Sequence, residues 1–413
     1  MDSNYWENSK ELDRLAELSI RTGVALCEGQ DLLITAPLEA FPLVRRVAFH
    51  AYKQGAGIVT PMYTDPEVTL LRYQNAQNAS FDKATGWLFN GIGKAFDNNT
   101  ARLAIVGDDP MLLAGQNPDF VGRANKAVSK ASSPVRERIT RFDVNWNIIA
   151  WPGSHWAKRV FPEMCASEAQ KKLAYAIFEA SKVLSDDPIS AWAEHNKNLK
   201  KRTIWLNEKK FAALHFYGNG TNLTVGLADG HEWLGGASVA RNGITCNPNI
   251  PSEEVFTTPH ATNVNGYVKS TKPLSHQGSI IDDISVTFEN GCITQASASK
   301  GQEIFLKLID TDEGARRLGE VALVPHSSPI SQSGLLFFNT LFDENAACHI
   351  ALGQCYSKCF KKGHLLSKEE VSNQGGNTSM IHVDWMIGSD KIDIDGLDEF
   401  GHATPVFRKG EWA

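Results

Sequence analysis

Near residue 203 the hydrophobic pattern of this 413-residue chain changes period, and the change separates two kinds of architecture. Before it, residues 31–36 (DLLITA) read as a short buried strand, residues 39–54 as a helix, and residues 57–63 (GIVTPMY) as a second strand, with Gly55 between. A strand, a helix and a strand in that order form a β-α-β unit. The pattern recurs at residues 101–107 (ARLAIVG) and 142–151 (FDVNWNIIAW), which predicts an α/β domain with a largely parallel sheet. A helical run follows over about residues 166–199.

Beyond residue 203, alternating segments and turn dipeptides replace the long helical patterns. In residues 284–295 (ISVTFENGCITQ), Ile284, Val286 and Phe288 point one way, and Asn290-Gly291 supplies a tight hairpin turn. The pattern predicts a second domain that is β-rich α+β. One helix stands out there, over residues 344–360 (ENAACHIALGQCYSKCF). The organisation is therefore an N-terminal domain over 1–203 and a C-terminal domain over 204–413.

Several functional classes fall away. The net charge of −6 is spread over 47 acidic and 41 basic residues without long blocks of one sign, so nucleic acid is not an expected partner. Residues 1–18 carry acids and amides where a secretory signal needs a basic start and an apolar run, and nothing approaches the roughly 18 consecutive apolar residues of a membrane span. Seven scattered cysteines fit reduced thiols better than a disulfide framework. A soluble cytoplasmic protein is expected. His231-Glu232 is followed by Trp-Leu-Gly, so no H-E-x-x-H helix is present. A G-x-S-x-G elbow, a phosphate-binding loop and a full G-x-G-x-x-G are also missing.

What remains is a concentration of metal-capable side chains in the second half. Glu253 and Glu254 are adjacent at the start of a strand-like run and must point to opposite sides. Glu320 borders an apolar stretch, VALV, and a carboxylate entering a core needs a partner, which a metal or Arg316 or Arg317 would provide. His349 and Tyr356, seven apart on the predicted helix, share one face, with Glu344 near its start. His382 and Asp384 alternate with Ile381, Val383 and Trp385 and so project to one side of a strand. Imidazole and carboxylate together suit zinc, cobalt or manganese.

These segments, in order and wording, resemble the thermophilic-type metallo-aminopeptidase family. The resemblance is carried by N-x-P-S-E-E-V-F-T from Asn249 to Thr257, by GEVALV at 319–324, by ENAACHIALG at 344–353 with a following tyrosine, and by HVDWMIGS at 382–389. It implies a C-terminal domain bearing two divalent metal ions per subunit (zinc, cobalt or manganese), with Glu254, Glu320, Glu344, His349, His382 and Asp384 as ligands. It further implies a homodimer, and peptides with a free N-terminus as substrates. Water activated by the two ions would then hydrolyse the first peptide bond. In such a site Glu320 or Glu253 is the candidate general base, and Tyr356 a hydrogen-bond donor to the developing oxyanion or to a metal-bound species. Two competing readings are a two-metal amidase or esterase on non-peptide substrates, and a non-catalytic binding protein on a peptidase fold.

Overall fold

The computed structural model describes residues 5–276 and 278–413. Their contacts divide the chain into two compact units, residues 1–194 with 237–251, and residues 195–236 with 252–413. The division falls inside the helix Pro188–Lys209 rather than at 203/204. No linker marks it, because the helix is continuous there.

In the first unit, strands β1 (Leu32–Pro37), β2 (Val59–Thr64), β3 (Ala101–Val106) and β4 (Trp146–Ala150) form a sheet in the order β2-β1-β3-β4, every pair parallel. Parallel neighbours need crossovers, which the helices Phe41–Lys53, Gly86–Asp97 and Pro118–Thr140 supply. Residues 237–251 belong here because the Asn147 side chain donates to the carbonyl of Asn247, and Ile148 bridges to Asn249. The helical run expected over 166–199 is two helices, Ala166–Ala180 and Pro188–Lys209. Pro188 cannot continue a helix but fits its first turn, and the Asp187 carboxylate accepts the amides of Ile189 and Ser190.

The second unit is β-rich. Its larger sheet is antiparallel and eight-stranded, including β5 (Ala213–Gly218), β6 (Thr221–Leu227) and β8 (Pro259–Lys269). The hairpin read at Asn290-Gly291 forms there as β9 (Ser285–Glu289) and β10 (Cys292–Ser297), both turn residues taking positive φ. A smaller four-stranded antiparallel sheet contains β7 (Val255–Thr257), β11 (Leu318–Leu323), β12 (His349–Gly353) and β13 (His382–Met386), in the order β13-β12-β11-β7. One side of that sheet presents Val255, Val321, Leu323, Ile350, Leu352 and Trp385 to the main core of the unit.

The helix expected over 344–360 is absent. A 3-10 turn, Glu344–Ala346, leads into strand β12, and another, Ser357–Cys359, follows Tyr356. Strand β12 is buried along its whole length, so apart from His349 its residues are apolar or small on both sides and lack the alternation that marks a half-exposed strand. Among the described residues no helix is long and apolar enough to cross a membrane.

Candidate metal centre

The side of the small sheet away from the core carries the polar groups. Ala351 of β12 is paired with Glu320 of β11 and with Asp384 of β13. His349 is paired with Ala322 and Met386, and Gly353 with His382. Successive side chains alternate, so Glu320, His349, His382 and Asp384 stand on one face, and the small Ala322 and Ala351 leave room between them. Glu254 joins them from the residue before β7, because the following Val255 turns into the core. Gly353 takes φ +103, and a Cβ there would meet the Ile381 carbonyl at 2.2 Å. Only glycine lets that chain pass so close to the residue before His382.

Two groups of donors result. Glu254, Glu320 and His349 each bring one ligand atom to within 4.8 Å of the others, and so do Glu320, His382 and Asp384. Glu320 belongs to both. His349 Nε2 lies 3.3 Å from Glu254 Oε2 and 3.7 Å from Glu320 Oε1. His382 Nε2 lies 3.6 Å from Glu320 Oε2 and 3.4 Å from Asp384 Oδ1. The first group is deeply buried, with Glu254 at 7%, Glu320 at 4% and His349 at 1% of full exposure.

The imidazoles are pre-set as donors to a cation. His349 Nδ1 lies 3.2 Å from the Ala347 carbonyl, and His382 Nδ1 lies 2.7 Å from that of Gln354. A carbonyl only accepts, so each Nδ1 carries the proton and each Nε2 faces the carboxylates. Such support fixes the ring and its tautomer for metal ligation.

Charge balance points the same way. Like charges about 4 Å apart repel by roughly 4 kcal/mol at an effective dielectric near 20, and four carboxylates meet here. Burial alone would lower the pKa of His349, yet Glu254, Glu320 and Asp384 outweigh it and hold it well above the ordinary value. His382 is likewise raised against burial, to about 9, chiefly by Asp384 and Glu320. Burial raises Glu320, and it raises Glu344 further with help from the charges of Glu254 and Asp384. The cluster recruits protons because it holds more negative charge than its own imidazoles balance. Glu254 Oε2, Glu320 Oε2 and His349 Nε2 are buried with no hydrogen-bond partner among the described residues. Divalent cations fit this donor set, since they satisfy those atoms and offset the charge together.

Glu344 and Tyr356 lie beside this core, whereas Glu253 is placed by its contacts with His195 and Asn345. Glu344, on the 3-10 turn, lies close enough to interact electrostatically with both groups but belongs to neither triad. Tyr356 stands next to His382, ring centroids 4.7 Å apart at 50°, and not on a helical face with His349. Burial, reinforced by the nearby carboxylates, raises the Tyr356 pKa and keeps the phenol protonated. Glu253 is buried and faces His195, with 3.8 Å between Oε2 and Nε2, while its amide donates to the Asn345 side chain at 2.7 Å. Sequence reasoning missed His195 and Asn345. His195 is remote in sequence and carries no motif, whereas Asn345 lies inside ENAACHIALG but is an amide, not one of the metal-ligating residue types.

The profile of the family described as thermophilic metalloprotease (M29) matches residues 8–412. Aminopeptidase T of Thermus aquaticus is 48% identical over 404 residues, covering 98% of both chains. Aminopeptidase PepS of Streptococcus thermophilus is 36% identical over 410 residues, covering 99% of this chain and 98% of that one. Among solved structures, wild-type AmpT from Thermus thermophilus superposes with a TM-score of 0.93 at 47% identity, covering 98% of this chain and 99% of the other.

Proposed function

The chain belongs to the thermophilic metalloprotease (M29) family and is a metallo-aminopeptidase, and from that premise we propose that it works with two divalent ions held on the small sheet of its second unit. Glu254, Glu320 and His349 would hold one ion, and Glu320, His382 and Asp384 the other, with Glu344 as a further ligand. The observation that carries this reading is that Glu320 belongs to both triads, one carboxylate oxygen facing each imidazole. Zinc, cobalt and manganese all suit mixed imidazole and carboxylate ligands. When bound, the ions supply Lewis acidity and a water of lowered pKa.

The protein's own groups divide the remaining work. Engagement of both Glu320 oxygens favours Glu253 over Glu320 as the carboxylate that takes a proton from water and returns it to the leaving amine. Asn345 holds the backbone of Glu253 in place, and His195 lies beside its carboxylate. Tyr356, kept protonated, donates its O–H toward the oxygen on which charge develops. Seven cysteines, none in a disulfide among the described residues, fit a reducing, cytoplasmic setting, and the family resemblance supports a homodimer.

Metal analysis, then chelation and separate add-back of zinc, cobalt and manganese, tests the reading on amino-acid arylamides. Two ions per chain with cleavage of leucyl-arylamide, but not of its N-acetylated form, supports it. Equal cleavage of the acetylated substrate would instead favour the amidase reading.

A further inference from the structure

The carbonyl that orients His382 is itself held in place. The peptide group joining Gln354 to Cys355 is planar and trans, so its C=O and its N–H point in opposite directions. The N–H of Cys355 donates to the backbone carbonyl of Asn377 at 3.1 Å, and the C=O of Gln354 is thereby turned toward His382 Nδ1, 2.7 Å away. The preceding peptide group is fixed in the same manner. The amide of Gln354 donates to the carbonyl of Ile381 at 2.7 Å, and the carbonyl of Gly353 accepts from the Asn377 side chain at 2.7 Å. Both peptide planes that meet at Gln354 thus have one end on Asn377 and the other on Ile381 or His382.

Asn377 is built into this position. It is 5% exposed, and a buried amide needs partners. Its Nδ2 carries two hydrogens, directed at the carbonyls of Gly353 and, at 2.8 Å, Gly314, with that of Arg317 further off at 3.4 Å. The amide therefore ties the end of β12 to the 3-10 turn Glu313–Arg316 that precedes β11. The same turn holds the approach to His382. Asp312 caps it, its carboxylate accepting the Ala315 amide at 2.9 Å, and the same carboxylate accepts the Ser379 hydroxyl at 2.7 Å and the Met380 amide at 2.6 Å. The Gln354 carbonyl also lies against the chain next to Glu320, since a Cβ on Gly319 would meet it at 2.4 Å. His349 is supported separately, by the carbonyl of Ala347, to which Asn377 has no bond.

Resting on the two-ion reading, we infer that Asn377 is a positioning residue for His382. Through the Gln354 carbonyl it fixes the ring and its tautomer, and so sets the affinity of the ion at Glu320, His382 and Asp384 but not that of the ion at Glu254, Glu320 and His349. Calorimetric titration of zinc into the chelator-stripped full chain, in the parent, Asn377→Ala and Asp312→Ala, separates the two ions. Asn377→Ala should weaken one ion about tenfold to a hundredfold, as loss of the support behind a ligand does, and leave the other within about twofold. Asp312→Ala releases Ser379 and Met380 but spares the Gln354 peptide, so it should weaken the same ion by less, and it carries the test if Asn377→Ala folds poorly. Added to His382→Gln, Asn377→Ala should lower affinity for the remaining ion no further, which a general structural defect would not give. Equal weakening of both ions, or affinities within about twofold of the parent for both, in the variants that fold would overturn the assignment. In the metal-free chain the Nδ1–H of His382, identified in proton spectra by its absence from His382→Gln, should exchange with solvent faster in Asn377→Ala, and an unchanged rate would also overturn it. A parent that binds a single ion, with the faster exchange still seen, would strike the two-ion reading and leave the positioning role standing.

Discussion

Glu320 meets His382 across 3.6 Å with one carboxylate oxygen, while its other oxygen lies 3.7 Å from His349. A residue shared in this way predicts an asymmetry in metal content. Glu320→Gln should lose both ions, whereas His349→Ala should lose the ion of its own triad and keep the other. Mass-spectrometric metal analysis after gel filtration reads the difference. One ion retained in Glu320→Gln would rule out its bridging role.

Glu253 and Tyr356 are predicted to act on the reaction rather than on metal retention. Glu253→Gln keeps the amide that Asn345 holds and removes only the proton acceptor, so kcat should fall about 10²- to 10⁴-fold with both ions still bound. Tyr356→Phe should cost about 3 kcal/mol of transition-state stabilisation, a drop of roughly two orders of magnitude in kcat. KM should change little in both, since the lost interactions form only in the transition state. Metal loss in Tyr356→Phe would make the phenol a ligand.

Much of this arrangement was legible in the sequence, and the misses have a common cause. The parallel first sheet showed itself because its strands are separated by long amphipathic helices, and the pairing of His382 with Asp384 because a strand repeats every two residues. The stretch at His349 was misread as a helix. Ile350 and Leu352 face the core while Ala351 and Gly353 share the ligand face with His349, so apart from that one residue both sides are apolar or small and no period shows. Tyr356 reaches the site through that strand and a turn, a path that spacing alone does not reveal. Pairing of Glu253 with His195 and the hold of Asn377 on Gly353 are contacts between distant segments, invisible to any local pattern.

Ala351 gives a prediction that neither motif nor composition suggests. It is paired with both Glu320 and Asp384 and contributes only a methyl group to the face between them. Ala351→Leu would place a branched side chain where the ions are held, while a buried leucine remains compatible with the strand. Both ions should be lost and activity should fall below about 1% of the parent, consistent with the more than 2.7 kcal/mol such a loss represents. Circular dichroism should stay native, and a variant that kept both ions would show that the metals do not sit between these strands.

Metal affinity should rise with pH, and the sign follows from the imidazoles. In the metal-free protein His382 is raised to about 9 and His349 is held well above its ordinary value, in both cases because neighbouring carboxylates outweigh burial. At neutral pH the His382 ring therefore carries a proton on Nε2, the atom a cation needs, and the upward shift of His349 works in the same direction. Binding must expel such protons, so the apparent affinity climbs by up to about tenfold per pH unit for each proton released. For His382 the climb persists up to about pH 9 and then levels off. Titration calorimetry in two buffers of different ionisation enthalpy counts the released protons directly. His382→Gln should release fewer protons and show a shallower slope for the remaining ion, whereas proton release equal to that of the parent would mean that His382 is already neutral before the metal arrives.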